Sequence, residues 1–415
     1  MCKSASLRKT YDGLQMASPG IIPFEMTEKI DPWFAVPKIL IGPDIEERLV
    51  WRDAVAELRR GLSFDFLYLT NEQKETAEGE IDLRVGGVED LGIGSMFRRR
   101  AKEPESGRMR TSFPDYRLFS STSEKYVHDA SIDGEVVTMW RAVAVSLIAT
   151  SHLAKIPPAR IAVIGAGRLA EKVIEGYCAF FTTLRDIKVW ARRPKEGEAL
   201  CARVCAAGKC GRAKVRYEAA MATACQDAEV IITTTSAETP VLMPRAVRPG
   251  AHLDLIGANR AEAREADVRL IKRSALYVDD RRSALKDSGE VSFPLNKNVI
   301  SESEIVGDLK AIVAPEFRRQ KGKANTLFKQ GGAPQLDLIM ARYIYARAIE
   351  SKVFLRIQPS EMSHLFPERV GEFPNPAGRV MMRPIDVRGA FDKLENVMAE
   401  NKAQEALCAG KRRNT

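Results

Sequence analysis

Residues 160–170 read Arg-Ile-Ala-Val-Ile-Gly-Ala-Gly-Arg-Leu-Ala, and this stretch decides the fold. The apolar run 161–164 predicts a short buried strand, and the glycine turn after it predicts the start of a helix. Gly165 permits the tight turn, Gly167 leaves room for a pyrophosphate against the backbone, and Ala170 lets the helix pack closely on the strand. The stretch therefore predicts a dinucleotide-binding turn.

Further strands alternate with helical segments on the carboxyl side of this turn. Such alternation predicts parallel βαβ units, so we expect an α/β fold with a Rossmann doubly wound parallel sheet over residues 155–319. Arg168 and Leu169 open the first helix, where free N–H groups and a partial positive charge suit phosphates. The remaining predicted strands are 186–190, 214–217, 229–232, 251–256 and 275–278.

The end of the second predicted strand bears on the choice of cofactor. It reads Trp-Ala-Arg-Arg-Pro, with Arg192 and Arg193 where NAD enzymes carry a carboxylate for the ribose. A guanidinium suits a 2′-phosphate, so the sequence favours NADP(H) over NAD(H). Thr234, Thr235 and Ser236 follow the fourth strand, where they either face the ligand or cap the next helix.

Composition and charge narrow the function classes. The 415 residues carry a net charge of +9 and are 45% hydrophobic and 29% charged, which is typical of a globular chain of two or three domain-sized units. The basic clusters are scattered among acidic residues, so we expect no nucleic-acid partner. We identify no apolar run of about 18 residues and no secretory signal, so we expect no membrane and a cytoplasmic location.

The cysteines predict no metal site. The chain has seven, without a CxxC pair, and Cys201, Cys205 and Cys210 lie close together with no histidine nearby. We interpret these three as buried helix cysteines.

Four segments, in order, resemble the ornithine cyclodeaminase/mu-crystallin family. They are Gly-Glu-Val-Val-Thr-Met-Trp-Arg-Ala-Val-Ala-Val-Ser at 134–146, the glycine turn, residues 257–290, and Thr-Leu-Phe-Lys-Gln-Gly-Gly-Ala-Pro-Gln-Leu-Asp at 326–337. The resemblance implies a homodimer and a discontinuous α+β substrate-binding and dimerisation domain. We assign residues 38–154 and 320–351 to that domain, with 1–37 and 352–415 as terminal extensions.

The resemblance also implies roles for single residues. Arg141 matches the arginine that binds the substrate carboxylate, by two parallel hydrogen bonds. Gly257 and Gly331 join the expected cofactor-binding residues. The family's substrate-facing lysine has no clear match here, and Arg108 or Arg110 is the candidate to replace it.

Asn259 stands where ornithine cyclodeaminase and the alanine dehydrogenases carry an aspartate. Asparagine cannot take a proton at neutral pH, whereas reduction of a preformed imine needs only a hydride delivered in the right geometry. We therefore predict an NADPH-dependent reductase of an amino-acid-derived imine, either a cyclic ketimine carboxylate or an opine-type imine. The alternatives are a redox-neutral cyclodeaminase-like lyase or diaminopropionate-pathway synthase with bound NAD, and a non-catalytic mu-crystallin-like binding protein.

Overall fold

The computed structural model describes residues 38–76, 79–88, 92–102, 109–111, 115–121, 126–258 and 260–356. The predicted N-terminal extension and nearly all of the predicted C-terminal extension lie outside these residues. The strands of the described part are β1 Ile39–Ile41, β2 Phe66–Thr76, β3 Gly79–Val88, β4 Gly92–Lys102, β5 Met109–Thr111, β6 Asp115–Ser121, β7 Tyr126–Asp133, β8 Arg160–Ile164, β9 Asp186–Trp190, β10 Lys214–Tyr217, β11 Val230–Thr233, β12 His252–Leu255, β13 Ser274–Val278, β14 Ile305–Gly307, β15 Asn325–Lys329 and β16 Leu355–Arg356.

The helices connect two separate sheets. Short 3-10 turns lie at Pro43–Arg48, Pro244–Ala246 and Glu302–Glu304. The α-helices of the described part are α1 Trp51–Gly61, α2 Gly134–Leu153, α3 Arg168–Phe180, α4 Pro194–Ala206, α5 Met221–Cys225, α6 Val268–Arg273, α7 Arg281–Asp287, α8 Gly289–Asn296, α9 Leu309–Val313 and α10 Pro334–Ser351.

The first sheet is mostly antiparallel. Its order is β16-β1-β7-β6-β4-β3-β2, with β5 paired to β4. The neighbouring pairs β2–β3, β3–β4, β4–β6 and β6–β7 are antiparallel, whereas β1 runs parallel to β7.

The second sheet is the predicted Rossmann sheet. Its order is β10-β9-β8-β11-β12-β15-β13-β14, and every recorded pair is parallel. Strands β11 and β12 are buried along their whole length because helices cover both faces. Strand β11 accordingly begins with three apolar residues, whereas β12 buries His252 and Asp254 alongside its leucines. The order reverses between β8 and β11, and ligands of such sheets bind at the carboxyl ends beside that point.

Two strands of this sheet were not among the predicted ones. Strand β14 lies at the edge, and β15 lies between β12 and β13. Strand β15 falls in segment 320–351, which the sequence assigns to the substrate domain, yet it pairs with nucleotide-sheet strands on both sides. The chain then leaves this sheet through α10, which packs against β3, β4 and α1.

Helix α2 lies between the two sheets. Asp133 caps its start by accepting hydrogen bonds from the N–H groups of Glu135 and Val136, at 2.9 and 3.2 Å. In the described part of the chain it is the one helix long and apolar enough to cross a membrane, but 78% of the apolar window is buried within the protein. Its neighbours α1, α3, α10 and β12 cover it, so α2 is a core helix of this fold.

Candidate functional site

The glycine turn joins β8 to α3. Gly165 has a φ of +135°, and a Cβ there would stand 2.4 Å from the Thr234 hydroxyl oxygen, so only glycine fits. Gly167 precedes α3, and a Cβ there would meet no atom within 4 Å. Ala170 is fully buried against the strand. The open side of Gly167 faces the start of α3, and this is the space that a pyrophosphate needs.

The two residues that open α3 have different surroundings. The Arg168 guanidinium donates to the Glu135 carboxylate at 2.6 Å, which ties α3 to the first turn of α2. Leu169 is partly buried against the core. Their backbone N–H groups lie in the first turn of a 13-residue helix. Such N–H groups have no partner within the helix, so they are the groups that would bind an anion.

Arg192 and Arg193 follow the end of β9 and are both exposed. Arg193 lies 3.4 Å from the Glu196 carboxylate within the first turn of α4. No ion pair to Arg192 is found among the residues that the structure describes. Arg192 is therefore the better placed of the two to meet a phosphate on the adenosine ribose.

The loops after β11 and β12 are held together by one buried carboxylate. Glu265 accepts from the N–H and hydroxyl of Thr235, at 2.6 and 2.8 Å, and from the N–H of Gly257 at 2.8 Å. A Cβ on Gly257 would stand 2.1 Å from the Thr235 carbonyl oxygen, so the two loops touch through a glycine. Burial raises the pKa of Glu265, and the Lys329 ammonium opposes that rise.

The predicted alternative for Thr234, Thr235 and Ser236, capping of a helix, is wrong because no helix begins directly after them. Thr234 instead donates to the Ile164 carbonyl oxygen at 3.3 Å, and Ser236 is exposed at the crevice. Their contact with the cofactor stays a prediction.

A cluster of buried charges supports the loops after β11 and β12. Lys329, at the end of β15, is fully buried and lies 3.4 Å from the Glu290 carboxylate, which is also fully buried. Lys329 donates to the Ala258 carbonyl oxygen, and Glu290 accepts from the N–H of Glu265. The ammonium thus faces two carboxylates, and the pairing offsets the cost of burying each charge.

Arg141 lies on α2 and is 5% exposed. Its Nε donates to Asp337 at 2.8 Å, and its Nη1 lies 3.4 Å from the Gln330 amide oxygen. Its Nη2 lies 3.8 Å from the point where a Cβ on Gly332 would stand. Arg141 is therefore fixed beside the backbone that follows β15.

Asp279 shapes that backbone. Its carboxylate accepts from the N–H groups of Gly331 and Gly332, each at 2.8 Å. Burial raises the pKa of Asp279, while the Gly331 hydrogen bond and the Arg141 charge oppose the rise. Gly332 has a φ of +84°, which favours glycine. Gly331 thus donates to this carboxylate, and its contact with the cofactor stays a prediction.

Arg84 is a site residue that the sequence analysis missed. It lies on β3, is 4% exposed, and donates to the Gly332 carbonyl oxygen at 3.2 Å. A Cβ on Gly332 would stand 2.4 Å from its Nη1, so Arg84 and Arg141 converge on the same glycine. No local motif marks Arg84, and the contact joins residues 248 positions apart.

The structure does not describe the side chains of three predicted substrate-facing residues. Arg108 and Asn259 lie outside the described residues. Arg110 lies on strand β5, but its side chain is outside the described part. Their roles remain predictions, and Arg84 is the guanidinium that the described residues place beside Arg141.

A polar network lies beneath this site. Asp254, on β12, accepts from the Ser146 hydroxyl of α2, and Ser146 contacts the Tyr177 hydroxyl at 2.8 Å. Asp254 is fully buried, and burial raises its pKa to about 7. The network connects α2 to the nucleotide sheet one and a half turns from Arg141.

The residues present fit a dinucleotide. At the turn, only glycine fits position 165, and open space lies beside the start of α3. The exposed guanidinium of Arg192 follows β9. Across the same edge of the sheet lie the two buried arginines, Arg84 and Arg141, beside Gly332. Among the described residues, no group of three or more His, Cys, Asp and Glu side chains could hold a metal ion.

The chain is similar to proteins of one known family. The profile of the ornithine cyclodeaminase/mu-crystallin family matches residues 118–352. The chain is 31% identical over 312 residues to a Delta(1)-pyrroline-2-carboxylate reductase of Paracoccus denitrificans, covering 75% of this chain and 96% of that protein. It is 34% identical over 218 residues to the ketimine reductase mu-crystallin of Rattus norvegicus, covering 52% and 64%.

A solved structure shares the fold. The Thermococcus litoralis Delta(1)-pyrroline-2-carboxylate reductase, in complex with NADH and L-proline, superposes with a TM-score of 0.68 and 23% identity. The match covers 77% of this chain and all of that one.

Proposed function

Because this chain belongs to the ornithine cyclodeaminase/mu-crystallin family, we propose that it is an NAD(P)-dependent oxidoreductase that reduces the carbon–nitrogen double bond of an α-imino acid. The substrate that we propose is a cyclic ketimine carboxylate of the pyrroline-2-carboxylate type. The cofactor that we propose is NADPH, because of Arg192. We also propose a homodimer, which the family resemblance implies.

One observation carries the proposal: two buried guanidiniums converge on Gly332 at the edge of the sheet that carries the nucleotide turn. Strands β8 and β15 are separated by β11 and β12, which puts their ends roughly 14 Å apart at about 4.8 Å per strand. A dinucleotide runs across the carboxyl ends of such a sheet. The carboxylate site and the cofactor site therefore share one crevice.

The chain's own residues bind and orient the substrate. Arg141 would hold its carboxylate in paired hydrogen bonds, and Arg84 would add a second positive charge on the same side. Asp337 and Gln330 fix the Arg141 side chain, so the α-carbon is presented in one orientation. When bound, the cofactor supplies the hydride, and a preformed imine carbon is already electrophilic.

We also propose the domain division that the family resemblance implies. Segments 38–154 and 320–351 would form the substrate-binding and dimerisation domain, although β15 contributes to the nucleotide sheet. Arg84 and Arg141 come from the first of these segments and Gly332 from the second.

The test is oxidation of NADPH and NADH by the purified chain with pyrroline-2-carboxylate and piperideine-2-carboxylate. A second set pairs pyruvate or 2-oxoglutarate with amino acids. We expect turnover with the cyclic substrates. Arg141→Lys should raise KM for the imino acid roughly 10- to 100-fold, since hydrogen bonds to a charged group contribute about 1.5–3 kcal/mol. It should leave NADPH affinity unchanged.

Other outcomes would reject the reductase. Release of ammonia from ornithine without net cofactor oxidation would indicate the redox-neutral lyase. Cofactor and carboxylate binding without turnover of any substrate would indicate a binding protein.

A further inference from the structure

Two cysteine sulfurs are in contact at the amino end of the nucleotide sheet. Cys205 lies in the last turn of α4, and Cys210 lies in the loop that leads to β10. The Cys210 thiol donates to the Cys205 sulfur across 3.1 Å. A disulfide bond is about 2.05 Å long, so the two sulfurs need to approach by only about 1 Å to bond.

The loop from α4 to β10 has the backbone that this contact requires. Gly208 and Gly211 have φ values of +67° and +57°, and neither would meet an atom closer than 3.7 Å if it carried a Cβ. Both glycines are therefore placed for backbone conformation rather than for close packing. Gly208 reverses the chain after α4 and brings Cys210 back to Cys205, and Gly211 turns the chain again before β10.

The two thiols differ in exposure, which assigns their order of reaction. Cys205 is exposed, whereas Cys210 is 8% exposed. Burial raises the pKa of the Cys210 thiol to about 12 and that of nearby Cys178 to about 12. An exposed thiol reacts first with a reagent from solvent, and a buried partner in contact with it resolves the product. The expectation that Cys205 would be a buried helix cysteine is wrong, because it lies on the solvent side of α4.

A cavity of about 340 Å³ lies beside the pair. Cys178, Cys210, Arg185 and Arg212 are among its lining residues. Arg185 and Arg212 place positive charge at this cavity, which favours a small reagent that carries carboxylates.

We propose that Cys205 and Cys210 form a reversible disulfide by exchange with a small carboxylate-bearing disulfide from solution. The Cys205 thiolate attacks one sulfur of that reagent, forms a mixed disulfide and releases one thiolate. Cys210 then gives its proton to solvent and attacks the Cys205 sulfur, which breaks the mixed disulfide and releases the second thiolate. The two protein sulfurs are oxidised, and the reagent is reduced to two thiols.

This site is separate from the proposed reductase site. The pair lies where β10 begins, whereas the glycine turn and the arginines lie at the carboxyl ends of the strands. Imine reduction by the oxidised chain should therefore equal that of the reduced chain. Failure of one proposal leaves the other standing.

The experiment uses the full-length chain and oxidised glutathione as the probe. After alkylation in denaturant, we expect the number of free thiols to fall from seven to five. Trypsin cleaves after Arg203, Lys209 and Arg212, so the bridge should appear as peptide 204–209 linked to peptide 210–212. Dithiothreitol should restore both free peptides.

Single substitutions separate the two steps. Cys210→Ser should accumulate one glutathione per chain on Cys205, and Cys205→Ser should give neither bridge nor adduct on Cys210. Cys201→Ser is the matched control, since it removes a neighbouring thiol and should leave the bridge intact. A stable glutathione adduct on wild-type Cys205 with Cys210 free, or a bridge to Cys178 or Cys201, would overturn the proposal.

Discussion

Replacing Asp254 by asparagine should stabilise the protein at alkaline pH and remove part of its pH dependence. Asp254 is fully buried on β12, and burial raises its pKa from an ordinary 3.8 to about 7. Over this range the folded state binds more protons than the unfolded state. The contribution of Asp254 to the free energy of unfolding is therefore fully present below about pH 4 and is lost as pH rises towards 7.

The size of the effect follows from the two pKa values. Each pH unit between them corresponds to about 1.4 kcal/mol, which gives a ceiling of about 4 kcal/mol. Between pH 5 and pH 8 the free energy of unfolding of Asp254→Asn should rise relative to wild type by about 3 kcal/mol. Asparagine has the same shape and can still accept from the Ser146 hydroxyl.

The assay is urea unfolding of both proteins at pH 5, 6, 7 and 8, followed by circular dichroism. Asp65→Asn is the control, because Asp65 is exposed and its contact with Lys310 is 3.9 Å long. Parallel curves for wild type and Asp254→Asn across the pH range would refute the reasoning. They would mean that Asp254 is ionised in the folded state throughout.

The other predictions concern the nucleotide turn, cofactor choice and the buried charges. Gly167→Ala should fold normally but raise KM for the cofactor at least about tenfold, because its Cβ enters only the open phosphate space. Gly165→Ala should instead lower the melting temperature, since its φ of +135° and the Thr234 contact leave no room. Arg192→Gln should reduce kcat/KM for NADPH roughly 10- to 100-fold while sparing NADH, whereas Arg193→Gln should change the ratio little; equal effects of the two would contradict the assignment of Arg192. Lys329→Met should cost about 3–5 kcal/mol in denaturant unfolding because two buried carboxylates lose their cation, and a neutral result would show that the glutamates are already protonated.

The nucleotide half was predictable because its signals are local. Each βαβ unit is a short apolar run followed by a helix, and the glycine turn lies within eleven consecutive residues. The predicted strand 161–164 corresponds to β8, and the fold class is confirmed. Arg141 could be selected because its surrounding segment resembles a family motif.

The missed features depend on contacts through space. Strand β15 joins the sheet far from its sequence neighbours, because the space between β12 and β13 is filled only by a later segment. Arg84 is one arginine within an ordinary strand, and only its contact with Gly332 shows its importance. Glu265 lies within the segment 257–290 that resembles the family, but only its contacts show that it joins two loops. No single-sequence pattern encodes such pairings.

The position of β15 also affects how the protein is made. During synthesis β12 and β13 emerge well before the strand that separates them, so they cannot take their final spacing until residues 325–329 have left the ribosome. Helix α10 and β16, which complete the first sheet, follow still later. Neither half is a finished folding unit until residues 325–356 have emerged, and both are completed together by them. We therefore expect both halves to finish folding late, in one step, rather than one after the other along the chain.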